Sequence, residues 1–100
     1  MKKLLTIIIP LYNVEKYIRK CIESIIVPQE YYNDLEVIII NDGTPDNSAI
    51  IAKEYESKYP EFIKVIDKEN GGHGSTWNLG LQMAQGKYIR FLDSDDWFDK

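Results

Sequence analysis

The chain has 100 residues, 44% hydrophobic, 28% charged and 12% aromatic, enough for one packed domain and too apolar for a disordered segment. A net charge of −4 and a pI near 4.9 argue against nucleic acid as a partner, which calls for a basic face. The single Cys21 has no internal disulfide partner and no metal-ligand neighbours, so its expected role is that of a buried small hydrophobe.

Leu4–Ile9 is a continuous β-branched run, the pattern of a strand buried on both faces, and Pro10 is expected to end it. The surrounding "LLTIIIPL" is far shorter than the roughly 20 apolar residues a bilayer span needs. With no signal-peptide pattern, a soluble cytoplasmic chain is expected. From Val14 to Ile26 the apolar residues Ile18, Ile22 and Ile25 follow helical spacing, and Pro28 closes the segment. Leu35–Ile40 reads as a second buried strand, followed by the turn "NDGTPDNS". Thr44 then Pro45 predicts a helix N-cap and first position, with Ile51, Tyr55 and Tyr59 on one side and Pro60 as the stop. Phe62–Ile66 is a short third strand, and "DKENGGHG" a polar, glycine-rich loop. Ser75–Gln85 predicts a third helix with Gly86 as its C-terminal stop, and Trp77, Leu81 and Ala84 as its core face. Lys87–Leu92 is the fourth strand.

The order β-α-β-α-β-α-β predicts an α/β fold, a Rossmann-like parallel sheet with right-handed helical crossovers on both faces. Ligands of such sheets bind beyond the carboxyl ends of the strands. The unusual residues all fall there: "PLYN" after strand one, "NDG" after strand two, Asp67 through Gly74 after strand three, "DSDD" after strand four. Asp93, Asp95 and Asp96 crowd into four residues. Helix capping accounts for one or two of them. Three together suit a hard divalent cation that completes its shell with phosphate and water. Asp42 is either a turn-forming Asx residue or an acceptor for a nucleobase N–H or ribose hydroxyl. Tyr12 either covers the core edge or offers a platform for a base. Gly71, Gly72 and Gly74 give either a plain flexible loop or a close backbone approach to a ligand before a helix N-terminus. His73 alone makes no metal site. The sequence lacks a P-loop, does not complete G-x-G-x-x-G after "GGHGST", and shows no nucleophile elbow. A receiver-type phosphate-accepting domain is disfavoured, because its acidic cluster belongs after the first strand.

The stretches "TIIIPLYNVEKYIRKCIESI", "EVIIINDGTPDNS" and "ENGGHGSTWNLGLQMAQGKYIRFLDSDDWF" together resemble the N-terminal half of family 2 glycosyltransferases, inverting nucleotide-sugar enzymes of GT-A fold. The last stretch looks like that family's D-x-D motif. The resemblance implies that Pro10, Tyr12 and Asp42 line a nucleotide pocket, with Asp42 near a uracil or other base and Gly72 in the loop passing the nucleotide. It implies Asp93 near the ribose, and Asp95, with Asp93 beside it, on a Mn²⁺ or Mg²⁺ that bridges the diphosphate. The expected donor is a UDP-sugar, and the expected acceptor a glycan or lipid-linked hydroxyl of polysaccharide biosynthesis, with membrane association of the full-length enzyme left open. Many members carry Ala-Arg before the third-helix asparagine, where this chain has Thr76-Trp77-Asn78. No catalytic residue is assigned. The general base is expected beyond Lys100, so residues 1–100 read as the donor-binding part of a truncated enzyme, inactive alone. The alternative is a non-catalytic nucleotide-sugar and metal binding module. The implied strand order 3-2-1-4 puts strand 87–92 at an edge, where self-association is expected.

Overall fold

The computed structural model describes residues 3–93. Four strands form one parallel sheet: β1 (Leu5–Leu11), β2 (Leu35–Asp42), β3 (Ile63–Lys68) and β4 (Tyr88–Phe91), in the order β3-β2-β1-β4. Three α-helices connect them: α1 (Ile18–Glu23), α2 (Ser48–Lys58) and α3 (His73–Met83). The expected parallel α/β sheet and its strand order are both met.

Alternation along the two inner strands supplies both faces of the sheet. Ile7, Ile9, Leu11, Val37 and Ile39 face α1 and α2, together with Ile18, Cys21, Ile22, Ala52 and Tyr55. Ile8, Ile38 and Ile40 face α3, where Trp77, Leu79 and Met83 cover them. Burying each such isoleucine is worth about 1.5–3 kcal/mol, so β1 and β2 carry the fold. Cys21 is fully buried in the first cluster, as its composition suggested. Tyr32 closes the lower end of that cluster against Phe62, ring centroids 4.7 Å apart.

Several boundaries differ from those expected. Pro10 does not end β1 but lies within it, paired in register with Ile40. The carbonyls of Leu4 and Ile8 accept the Tyr88 and Leu92 N–H groups, so even-numbered residues of β1 bond toward β4. The missing donor of Pro10 therefore points past the end of β4 and breaks no ladder bond. The helical stretch 14–26 forms a helix only over Ile18–Glu23. On its N-terminal side the Val14 carbonyl takes both the Tyr17 and Ile18 N–H. On its C-terminal side the Ser24 hydroxyl donates back to the Cys21 carbonyl at 2.6 Å, and β-branched residues then run into Pro28.

Thr44 and Pro45 do not start α2, which begins three residues later, with Asn47 as N-cap and Ser48 as first residue. The Asp46 carboxylate there accepts the Ser48 N–H at 3.0 Å, a local bond that competes with an earlier helical turn. The third helix runs from His73 to Met83, not Ser75 to Gln85, and its face differs too. Leu81 is 45% exposed, while the backbone of Gly80 lies so close to β1 that a Cβ there would stand 2.6 Å from the Ile8 side chain. Gly86 is not a helix stop either. It passes β1, donating its N–H to the Thr6 hydroxyl at 2.8 Å. That hydroxyl in turn donates to the buried Glu36 carboxylate, which also accepts the Gln85 N–H.

Candidate functional site

Because all four strands are parallel, their carboxyl ends share one edge. Pro10 is buried at the end of β1 and Tyr12 stands just beyond it, 46% exposed. Asp42 is the last residue of β2, Gly72 directly precedes α3, and Asp93 follows β4 as an exposed residue. Asp95 lies outside the described residues, as does Asp96.

The centre of this edge is Asp42, which is only 5% exposed. Strand β3 runs two residues past its expected end at Ile66, so Asp67 stands beside Asn41 and Lys68 beside Asp42. Side chains at successive positions leave opposite faces of a strand. The Asp42 and Lys68 side chains therefore meet on the α3 side. Lys68 Nζ donates to Asp42 Oδ1 at 2.8 Å. The glycine loop completes the arrangement: Gly71 N–H donates to Oδ1 at 2.9 Å and Gly72 N–H to Oδ2 at 3.0 Å. Asn70 Nδ2 reaches the Asp42 carbonyl at 3.0 Å. Gly72 takes φ +86°, a conformation open to glycine and strained for other residues, so the chain turns both N–H groups inward before entering the helix. Burial pushes the Asp42 carboxyl up, but the Lys68 ammonium and the two backbone donors outweigh it and hold it below the usual range.

On the α2 side of the sheet the neighbouring pair does a different job. Asn41 Nδ2 and Lys53 Nζ donate to the two oxygens of Asp67 at 2.9 and 2.8 Å, fastening α2 to β3 on an exposed surface. The loops after β1 and β2 are also cross-tied. Asn13, at φ +58°, donates its N–H to the Thr44 hydroxyl at 2.7 Å, and Glu15 N–H to Asp46 Oδ2 at 3.0 Å. Asn47 N–H returns to the Glu15 carboxylate at 3.0 Å. Burial raises the Asp46 carboxyl, yet the Ser48 and Thr44 hydroxyls and two backbone N–H groups bring it down to about 2. The edge is thus held stiff around one buried, ionised acceptor.

Lys68 is the site residue that the sequence reading missed. Its place follows from the β2–β3 register, which pairs Lys68 with Asp42 once β3 runs to its end. For a metal, no group of three or more His, Cys, Asp or Glu side chains is gathered among the described residues. Asp93, exposed two residues past the end of β4, offers the carboxylate oxygens a hard divalent cation takes, and so fits as one ligand of such a site. A cleft of about 1140 Å³ opens elsewhere, at the amino ends of β1 and β4, lined by Lys3, Leu4, Asp34 and residues 84–87. None of the expected site residues lines it, and the converging polar groups make the carboxyl edge the candidate site.

The sequence matches "Glycosyl transferase family 2" over residues 6–100. It is 48% identical over 91 residues to the minor teichoic acid biosynthesis protein GgaB of Bacillus subtilis (strain 168), covering 91% of this chain and 10% of that protein. Among solved structures, TarS 1–349 of S. aureus in complex with UDP-GlcNAc superposes with a TM-score of 0.83 at 31% identity, over 97% of this chain and 28% of that one. The mannosyltransferase PcManGT from Pyrobaculum calidifontis, in complex with GDP-Man and Mn²⁺, superposes at 0.88 with 20% identity, over 100% of this chain and 30% of that one, a likeness of fold alone. The chain spans about a tenth to a third of these proteins. With its matching residues reaching from β1 through the acidic run, the chain belongs to glycosyl transferase family 2.

Proposed function

We propose that this chain binds the donor of a glycosyltransferase, one that moves a sugar from a UDP-sugar to a glycan or lipid-linked acceptor hydroxyl with inversion. The observation that carries the reading is the ionised Asp42 acceptor, held by Lys68 and the glycine loop at the carboxyl edge of the sheet. A relative at 31% identity solved with UDP-GlcNAc supports a uridine nucleotide there. In this reading Asp42 accepts from the base, beside Tyr12 and Pro10, and Gly72 lets the loop run close to the nucleotide. Asp93 lies near the ribose, and with Asp95 it holds Mn²⁺ or Mg²⁺. The cation, when bound, neutralises the leaving diphosphate as a Lewis acid. No residue described here is assigned as the general base.

Calorimetry with UDP, with Mn²⁺ and then in EDTA, tests the reading. Carboxylates facing a diphosphate repel it without a cation, so binding should need the metal. Equal affinity in EDTA would sink metal dependence. Asp95→Asn should weaken metal-dependent binding by about tenfold or more, since losing even a partner of a metal ligand costs about 10–100-fold in metal affinity. Asp96→Asn should cost less.

A further inference from the structure

Resting on the uridine-nucleotide reading above, the hydrogen bonds of Asp42 carry a statement about which base the site accepts. An ionised carboxylate offers about four acceptor positions, two on each oxygen. Lys68 Nζ and Gly71 N–H occupy Oδ1, and Gly72 N–H occupies one position of Oδ2. Among the described residues, one position is left, on Oδ2. We infer that Lys68 is a specificity-determining residue, which closes Oδ1 so that Asp42 reads a single ring N–H and rejects a base presenting two adjacent donors.

Uracil presents one ring N–H between two carbonyls and fits a single acceptor. Guanine presents its ring N–H beside an amino group and pairs best with both oxygens of a carboxylate. With Oδ1 closed, the amino group of guanine is left facing donors, and unpaired polar groups in a site are what reject an analogue. Lys68 is well placed to impose this, because its side chain is only 18% exposed and its ammonium is also held by the Glu69 carbonyl. Gly71 by itself would leave Oδ1 half open.

The test is calorimetry with UDP and with GDP, in Mn²⁺, on the hundred-residue chain, on Lys68→Met and on Lys68→Arg. Amide exchange at Gly71 and Gly72 reports in parallel whether the loop stays closed. The unaltered chain should favour UDP by about tenfold or more, the scale of one hydrogen bond to a charged group. Lys68→Met should shrink that ratio about tenfold, mainly by gaining GDP affinity, and Lys68→Arg should restore it. An unchanged ratio in Lys68→Met with the loop closed overturns the inference, as does an equal loss of both nucleotides. Should Lys68→Met open the loop, Lys68→Arg decides: a ratio below the original with the loop closed overturns the inference. An unaltered chain that binds UDP and GDP equally well sinks this inference alone. One that binds neither sinks the proposed function itself.

Discussion

Asp42→Asn should unfasten the glycine loop, lower stability by about 1–3 kcal/mol and abolish UDP binding. Asparagine keeps one acceptor oxygen and puts an NH₂ group where the second carboxylate oxygen stood. Whichever way it turns, a donor then faces Gly72 N–H, or faces Lys68 and Gly71 N–H together. The register-adjacent pair supplies an internal control. Lys53 and Asp67 meet at the same 2.8 Å as Lys68 and Asp42, but their side chains are 50% and 55% exposed against 18% and 7%. Exposed pairs contribute about 0–1 kcal/mol, so Asp67→Asn should barely register. Urea midpoints at constant slope measure both, and amide exchange at Gly71 and Gly72 measures the loop. The difference also has a pH signature. The carboxyl of Asp42 lies below its ordinary 3.8 in the folded chain, so its stabilisation is complete above that value and is lost as pH falls below it. Wild type and variant should therefore converge in acid. Native protection of both glycine amides in the variant would show that Asp42 does not hold the loop.

The second large effect is expected at Gly86, far from the site. A Cβ there would lie 2.5 Å from the backbone nitrogen of Thr6, 2.5 Å from its hydroxyl and 2.8 Å from the Leu5 carbonyl carbon. Those atoms belong to β1, an inner strand bonded on both sides that cannot step aside. Overpacking typically costs about 1–3 kcal/mol, and Gly86→Ala should reach the upper end because the obstacle is backbone. Gly74→Ala makes the comparison, since a Cβ there meets nothing within 4 Å. In the exposed first turn of α3 it should be neutral or stabilising by up to about 1 kcal/mol. Thermal and urea unfolding of the two variants should diverge in sign. Equal stabilities would mean that the chain around Gly86 shifts freely.

The sheet was legible because β1 and β2 each carry an unbroken β-branched run, Ile7–Ile9 and Val37–Ile40, and such runs have one comfortable home, a strand covered on both faces. The parallel sheet followed from the β-α alternation and the strand order from the family resemblance, while the grouping of Pro10, Tyr12, Asp42, Gly72 and Asp93 at one edge followed from what came after each strand. The element ends were harder to read. Pro10 looks like a stop until one knows which neighbour its nitrogen faces, and only the partner strand decides that. Lys68 reads as the start of a polar loop because nothing local says that Asp42 stands beside it. Thr44-Pro45 has the composition of a helix start, but the Asp46 carboxylate captures Ser48 first. For Pro10 and Lys68 a contact from elsewhere in the chain overrode the local preference, whereas at Thr44-Pro45 one local preference overrode another.

The hydrogen bond from Gly86 to Thr6 joins groups 80 residues apart in sequence, beside the place where Leu5 pairs with Tyr88. A ribosome therefore releases β1, an inner strand of the sheet, before β2 and β3, and its other neighbour β4 only after all three. Until that neighbour emerges, β1 offers an unpaired parallel edge to whatever strand lies nearby, the setting in which nascent chains mispair. Closing so long a loop is entropically slow, so this seam should be the last to form. Pulsed hydrogen exchange during refolding should find Tyr88 and Leu92 amides protected after those of β2, and simultaneous protection would contradict that order. The polar Thr6 and Glu36 side chains buried under this seam then have a kinetic meaning: they favour the one late-arriving backbone segment able to satisfy them.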